Sequence, residues 1–369
     1  MYTKQKLLLW LVLTLYIAIW AVSVVHSSEI ITHEIDSKEI AGNLAGISSV
    51  RRFQVYLPDG YDENPEGRYP VLYWIPGWAY GLTGYTYKQA LDDAIESNTI
   101  TPTLAVFIDA NEGIIFLNSP VFGNWESFLV SELVPFIDHK YRTIPDPTAR
   151  GFMGWSMGGY TAFVLSILYP GVWGNIGGND PSFWVMWFGT RDEASFPENG
   201  FPSFAEARSW FTSMPKDLGS YASADAYGKV MMQIGASVSP NDDAPLHCDF
   251  PFDSQGERNP EIRDKWKLYD FSDPDTLNEH NETLREFLSI VIVTPTGGGG
   301  PQNTSYINEL VAAGIEVTRL DMPGEHTDQR AERFIAISEV ILGAMARVEA
   351  SVSPRGKMAA LWGEIKQGR

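Results

Sequence analysis

Apolar residues in this chain gather into short unbroken runs, separated by stretches whose apolar positions repeat at helical spacing. Val71–Ile75, Leu104–Ile108 and Gly151–Trp155 offer no polar side chain on either face. That is the pattern of strands buried on both sides within a parallel sheet. Between them, Lys88–Glu96 predicts a short helix. Trp125–His139 predicts a longer one, with Phe128, Leu129, Leu133, Phe136 and Ile137 on one face, and Gly159–Leu168 predicts a buried helix. Upstream, Glu29–Ile35 and Ser49–Leu57 read as edge strands that end at the turn Pro58-Asp59-Gly60. A sixth sheet strand is expected within Val172–Asn179. The pattern resumes late with strand Leu288–Val293, helix Ser305–Ala313 closed by Gly314, strand Ile315–Leu320 and helix Gln329–Val348. Strand and helix alternate, so the expected fold class is α/β: a mostly parallel central sheet flanked by helices.

One region breaks the rhythm. Residues 181–287 are rich in Pro, Gly and aromatics, including Phe183, Trp184, Trp187, Phe188, Phe201, Phe204, Trp210 and Phe211. Helices are expected at Tyr221–Val238, Pro260–Tyr269 and Thr276–Phe287. The region reads as a helical, aromatic-rich cap inserted between the sixth and seventh strands. Most of its aromatics would form its own core, and a minority would line an acyl or aryl pocket. The expected organisation is a targeting segment over 1–27, one α/β domain over 28–350 and a polar tail over 351–369, apolar only at Met358–Trp362.

Charge and cysteine content narrow the setting. A formal net charge of −19 makes nucleic acid and acidic membrane surfaces poor partners. Lys4 and Lys6 precede an apolar run from Leu7 to Val25, and Val25-His26-Ser27 and Ala21-Val22-Ser23 are cleavage-like triplets. The segment reads as a cleaved export signal. An uncleaved anchor is the alternative, and in that case the domain still faces outward. Either way the expected location is secreted, periplasmic or cell-envelope, with membrane contact only if the segment is retained. A single cysteine, Cys248, allows no internal disulfide.

Chemistry centres on Gly154-Trp155-Ser156-Met157-Gly158, a G-x-S-x-G sequence set between a buried strand and a buried helix. A serine on such a turn is a nucleophile candidate, and it needs a base within hydrogen-bond reach. Of six histidines, His26 belongs to the targeting segment and His33 precedes the nucleophile strand. His139 falls on a helix surface, and His247 and His280 lie in the insertion. His326 follows the last strand and precedes the last helix, where the base of a nucleophile-elbow enzyme belongs. The backbone N–H of Met157 is one oxyanion donor candidate. The second is Trp78, because Pro76 has no N–H and Gly77 lets the chain turn. No dinucleotide or P-loop sequence is present, and no His/Cys cluster has metal spacing. Ser239-Pro-Asn-Asp-Asp243 could bind calcium but reads better as a solvated loop.

Together, Arg52–Tyr61, Arg68-Tyr-Pro-Val-Leu-Tyr73, the elbow, Ala313-Gly-Ile-Glu-Val317 and Pro323-Gly-Glu-His326 resemble the putative esterase family. That family includes S-formylglutathione hydrolases of the esterase D type, feruloyl esterases and mycolyltransferases. The resemblance spans most of residues 29–345 and is weakest in the insertion. It implies an α/β-hydrolase fold and a cofactor-free serine carboxylesterase or acyltransferase. It also implies Ser156 as nucleophile, His326 as base and Met157 and Trp78 as oxyanion donors. Substrates would be small-molecule or polysaccharide-linked esters. The family often has His-Gly where this chain has Pro76-Gly77. It also usually carries its acid just after the seventh strand, where this chain reads Thr294-Pro-Thr-Gly-Gly-Gly-Gly-Pro-Gln-Asn303, without a carboxylate. Three explanations stand open. Asp180, after the sixth strand, could serve as the acid, with Asp242, Asp243 and Asp249 as weaker candidates. The site could be a Ser–His pair with Asn303 standing in. Or the chain could be a non-catalytic binding protein, with Gly297–Gly300 as a relaxed loop.

Overall fold

The computed structural model describes residues 27–193, 203–212, 214–297 and 300–352. The readings made for the targeting segment, the tail with Met358–Trp362, Phe201 and the central glycines 298 and 299 lie outside the described residues. Among the described residues, the main sheet has eight strands: β1 (Glu29–Asp36), β2 (Val50–Leu57), β3 (Val71–Ile75), β4 (Leu104–Ile108), β5 (Arg150–Trp155), β6 (Asn175–Asn179), β7 (Ser289–Pro295) and β8 (Thr318–Met322). Their spatial order is β1-β2-β4-β3-β5-β6-β7-β8. β1 pairs antiparallel with β2 and β2 antiparallel with β4, and every later pairing is parallel. Every position of β3, β4, β5 and β6 is buried, including the polar Arg150 of β5 and Asn175 and Asn179 of β6.

Helices α1 (Gly84–Glu96), α2 (Val134–Lys140), α3 (Met157–Leu168), α4 (Gly300–Ala312) and α5 (Arg330–Val352) flank this sheet. On one face Trp74, Phe107, Met153, Val291 and Val293 pack with Tyr87 and Leu91 of α1 and Phe334, Ile337 and Ile341 of α5. The other face holds Tyr73, Phe152, Ile176 and Ile292 together with Tyr160, Phe163 and Val164 of α3. Residues of the 181–287 segment, among them Phe188, Phe211, Ile234 and Trp266, belong to that same apolar cluster. The insertion therefore shares the core of the sheet. Its helices run Phe204–Thr212, Ala226–Val238, Pro260–Lys267, Pro274–Glu279 and Asn281–Arg285. Among the described residues no helix is long and apolar enough to cross a membrane.

Several boundaries differ from the sequence pattern, each for a local reason. β2 is an interior strand rather than an edge, because Phe53–Leu57 is buried and β4 covers its far side. α1 starts four residues early, where the side-chain oxygen of Gln54 accepts from the Gly84 N–H at 2.9 Å. The helical stretch leading into α2 contains a π-helical turn, Phe128–Leu133. The last strand begins at Thr318 instead of Ile315. Ile315 is a buried plug whose N–H bonds Leu310 at 2.9 Å, and β8 itself is an exposed edge.

On β1, His33 lies among the rings of Phe53, Phe136 and Tyr141, and its Nε2 is 2.5 Å from the Tyr141 hydroxyl oxygen. Burial first, and Lys140 second, hold its imidazole below the ordinary value of 6.5. A depressed histidine adds stability above its unfolded value, and that contribution is lost as pH falls through the folded value. Urea unfolding at about pH 7.5 and about pH 5.5 is expected to show a midpoint loss on acidification. His33→Phe should reduce that loss, and an equal loss in the variant would count against the assignment.

Candidate active site

The strand–turn–helix at Ser156 is imposed by its glycines. Ser156 adopts φ 57° and ψ −122°, a backbone conformation that non-glycine residues seldom hold. A Cβ on Gly154 would lie 2.2 Å from the carbonyl carbon of Gly158. One on Gly158 would lie 2.2 Å from the oxygen of Ile75 and 2.4 Å from that of Pro76. No side chain fits at either place, so β5, α3 and the end of β3 meet backbone to backbone. The Ser156 N–H donates to Asn179 O at 3.0 Å, and Ser156 O accepts from the Ser182 N–H at 3.0 Å. Both backbone groups of the serine are thereby tied to the chain leaving β6.

That chain turns sharply at Asp180, with φ 46°, and the Asp180 N–H donates to Val293 O on β7 at 3.0 Å. The turn directs the buried carboxylate toward the loop between β8 and α5. Asp180 Oδ2 is 2.5 Å from His326 Nδ1, and His326 Nε2 is 2.9 Å from Ser156 Oγ. Asp180 Oδ1 accepts from the Nδ2 of Asn303, itself 1% exposed on α4. Of the residues singled out from sequence, the structure thus brings Ser156, His326 and Asp180 into one hydrogen-bonded line. Asn303 stands behind Asp180, in contact with the carboxylate and not in its place.

At Gly297, the first glycine of the turn after β7, the structure leaves no room for a side chain. The Gly297 N–H donates to Gly324 O at 3.0 Å. A Cβ on Gly297 would fall 2.9 Å from that oxygen and 2.7 Å from Glu325 Oε1. The turn lies directly on the backbone of the loop carrying His326, and a side chain at Gly297 would push the two apart.

Met157 opens α3, so its N–H is one of the helix N-terminal donors without an intrahelical partner. The loop with Trp78 lies against the same turn, since a Cβ on Gly77 would be 2.8 Å from the Trp155 ring. The Trp78 indole covers Gly113, where φ is +67° and a Cβ would meet the ring at 2.7 Å.

The remaining candidates lie elsewhere. His139 is exposed, His247 occupies a turn with φ 55°, and His280 packs against Phe271. Asp242 and Asp243 are exposed, and both carboxylate oxygens of Asp249 accept from Asn241 Nδ2 at 3.0 Å. Among the described residues no group of three or more His, Cys, Asp or Glu could hold a metal ion.

Three residues at the site escaped the sequence reading. Trp155 donates its indole N–H to His326 O at 3.0 Å and lays its ring 5.2 Å from the imidazole. Ser182, 2% exposed, places its hydroxyl 3.2 Å from Ser156 Oγ. Arg333, fully buried on α5, donates to Pro323 O at 2.7 Å and Glu325 O at 2.9 Å. Burial holds its guanidinium below the ordinary arginine value, against the pull of Asp180, Asp328 and Glu332. Trp155 lies inside the elbow pentapeptide and Ser182 two residues past Asp180, but only long-range folding shows what they touch.

The strand order, the elbow and the residues gathered at the carboxyl ends of the parallel strands define an α/β-hydrolase. The family described as "Putative esterase" matches residues 45–235, just over half of the 369 residues, and the chain belongs to that family. An endo-1,4-beta-xylanase/feruloyl esterase of Xylanibacter ruminicola is 31% identical over 142 residues, which are 34% of this chain and 19% of that protein. An esterase of Mycobacterium tuberculosis is 30% identical over 123 residues, 32% of this chain and 26% of that one. The matched segments therefore span about a quarter or less of these curated relatives. A solved ferulic acid esterase is similar with a TM-score of 0.58 at 17% identity, over 87% of this chain and 99% of its own. That likeness shows the fold.

Proposed function

We propose that this chain is an exported serine carboxylesterase that works through an acyl-enzyme on Ser156. The observation that carries the reading is the line from Ser156 Oγ through His326 to Asp180, at 2.9 and 2.5 Å. Ser156 Oγ attacks the ester carbonyl carbon while His326 Nε2 takes its proton. The oxygen that becomes negative is held by the N–H groups of Met157 and Trp78. The C–O bond to the alcohol then breaks, and the alcohol leaves with the proton from His326. Water repeats the sequence on the acyl-enzyme, releasing the acid and restoring Ser156. Asp180 holds His326 in the tautomer with hydrogen on Nδ1 and stabilises the imidazolium. The 181–287 insertion packs beside the nucleophile helix, where the Tyr160 hydroxyl on α3 donates to Tyr269 O at 3.1 Å, and we assign it the role of cap.

The substrates we propose are esters of aryl acids or acetate on small alcohols or polysaccharides. The name of the Xylanibacter relative and the aromatic content of the insertion support this class. Export is supported by Lys4, Lys6 and the apolar run from Leu7 to Val25. The binding-only reading rested on the missing acid after the seventh strand and on Gly297–Gly300; Asp180 Oδ2, 2.5 Å from His326 Nδ1, supports the catalytic reading instead.

The test pairs hydrolysis of p-nitrophenyl acetate and methyl ferulate with fluorophosphonate labelling and mapping of the adduct. Turnover of at least one ester, blocked by an adduct on the peptide containing Ser156, is expected. An active protein labelled elsewhere, or one with no reaction at all, would sink the proposal.

A further inference from the structure

The loop that carries His326 is held carbonyl by carbonyl. Pro323 O accepts from Arg333 Nη2 at 2.7 Å, and Gly324 O from the Gly297 N–H at 3.0 Å. Glu325 O accepts from Arg333 Nη1 at 2.9 Å, and His326 O from Trp155 Nε1 at 3.0 Å. One side chain thus supplies two of these bonds, and it is a cation with 0% exposure. Taking a guanidinium out of water is costly unless charge and hydrogen bonds compensate. Two carbonyl dipoles supply part of that compensation, and Asp180, Asp328 and Glu332 act on the charge electrostatically. A fold that needed only a filled volume here could use an apolar residue at lower cost. The fork geometry of arginine instead fixes two carbonyls at once, one on either side of Gly324, whose φ of +91° gives the loop its bend.

We infer that Arg333 is a positioning residue for the reaction: its guanidinium sets the loop that aims His326 at Ser156. This rests on the serine-esterase reading. A loosened loop lets the imidazole wander from Ser156 Oγ without altering where substrate binds. The expected signature is therefore a fall in kcat with KM preserved.

Arg333→Met, folded by circular dichroism, should lose about 100-fold in kcat with KM within about twofold. Arg333→Lys, which keeps the charge and can reach one carbonyl, should recover about tenfold of that. Ser338→Ala, further along α5, breaks a buried bond to Phe334 O without touching the loop and should retain wild-type kcat. Hydrogen exchange of the 323–328 peptide should quicken in Arg333→Met relative to Ser338→Ala. If Arg333→Met does not fold, the lysine variant carries both measurements. Wild-type kcat, a KM-only effect or unchanged exchange in a folded Arg333 variant would overturn the inference. Exchange is read without turnover, so a wild-type protein lacking fluorophosphonate-sensitive activity would refute the esterase reading while leaving the role of Arg333 in the loop separately decided.

Discussion

Asp180→Asn is expected to lower ester turnover by about four orders of magnitude while leaving the protein folded. The size follows from which atoms face each other. In the wild type, Asp180 Oδ1 accepts from Asn303 Nδ2 and Oδ2 faces His326 Nδ1. An asparagine at 180 has one acceptor and one donor. With Asn303 keeping its donor toward residue 180, the new amide turns its oxygen there and its NH2 toward His326. The imidazole would answer with a bare Nδ1 and a hydrogen on Nε2. That tautomer cannot take the proton of Ser156 Oγ, and it also loses the charge that steadies the imidazolium. Binding groups are untouched, so KM should change little. The measurements are steady-state kinetics on p-nitrophenyl acetate and thermal unfolding. Turnover within about tenfold of wild type would remove Asp180 from the mechanism, since a merely structural carboxylate has no such tautomer to lose. Asn303→Leu is the companion variant: it frees the asparagine at 180 to rotate, so adding it to Asp180→Asn should partly relieve the defect.

Gly158→Ala should cost about 3 kcal/mol or more of stability and leave little soluble, active protein. Its methyl would sit 2.2 Å from Ile75 O and 2.4 Å from Pro76 O. Both are backbone atoms, one at the end of β3 and one just past it, so no rotamer change relieves the overlap. β3 and α3 would have to separate, and with them the Met157 and Trp78 amides. Gly171→Ala supplies the contrast. Its φ is +86° but nothing lies within 4 Å, so only backbone strain of about 1–2 kcal/mol applies. Denaturant unfolding of the two variants separates steric exclusion from conformational strain. Equal midpoints would mean that the elbow has more slack than its distances imply.

Much of this architecture is legible in the sequence because its strands are buried on both faces. Val71–Ile75 and Leu104–Ile108 announce themselves without any partner in view, and so does the glycine-flanked Ser156. Elements that depend on a neighbour are not legible in the same way. β2 looks like an edge until β4 is placed beside it, and Ile315 looks like strand until its role as a plug is seen. At the site, position along the chain singles out Ser156 and His326. Asp180 is a candidate only because the ends of β6 and β7 are adjacent, and nothing local distinguishes it from a turn residue before Pro181. Trp155, Ser182 and Arg333 carry no local signal, since their partners lie from 8 to 171 residues away. Gly297, after β7, reads as part of a loss in the sequence and as a close backbone contact in the structure.

The placement of Asp180 also bears on descent. With the roles proposed here, the same imidazole nitrogen can be approached from the ends of two adjoining strands. An ancestor holding carboxylates at both ends would have been active throughout, and either one could then be dropped without a dead intermediate. In the present chain Gly297 lies against the backbone of the histidine loop, so a side chain restored at that position would have to displace the loop that carries the base. Sorting relatives into live and dead enzymes by the β7 position alone would therefore misfile lineages that made this exchange.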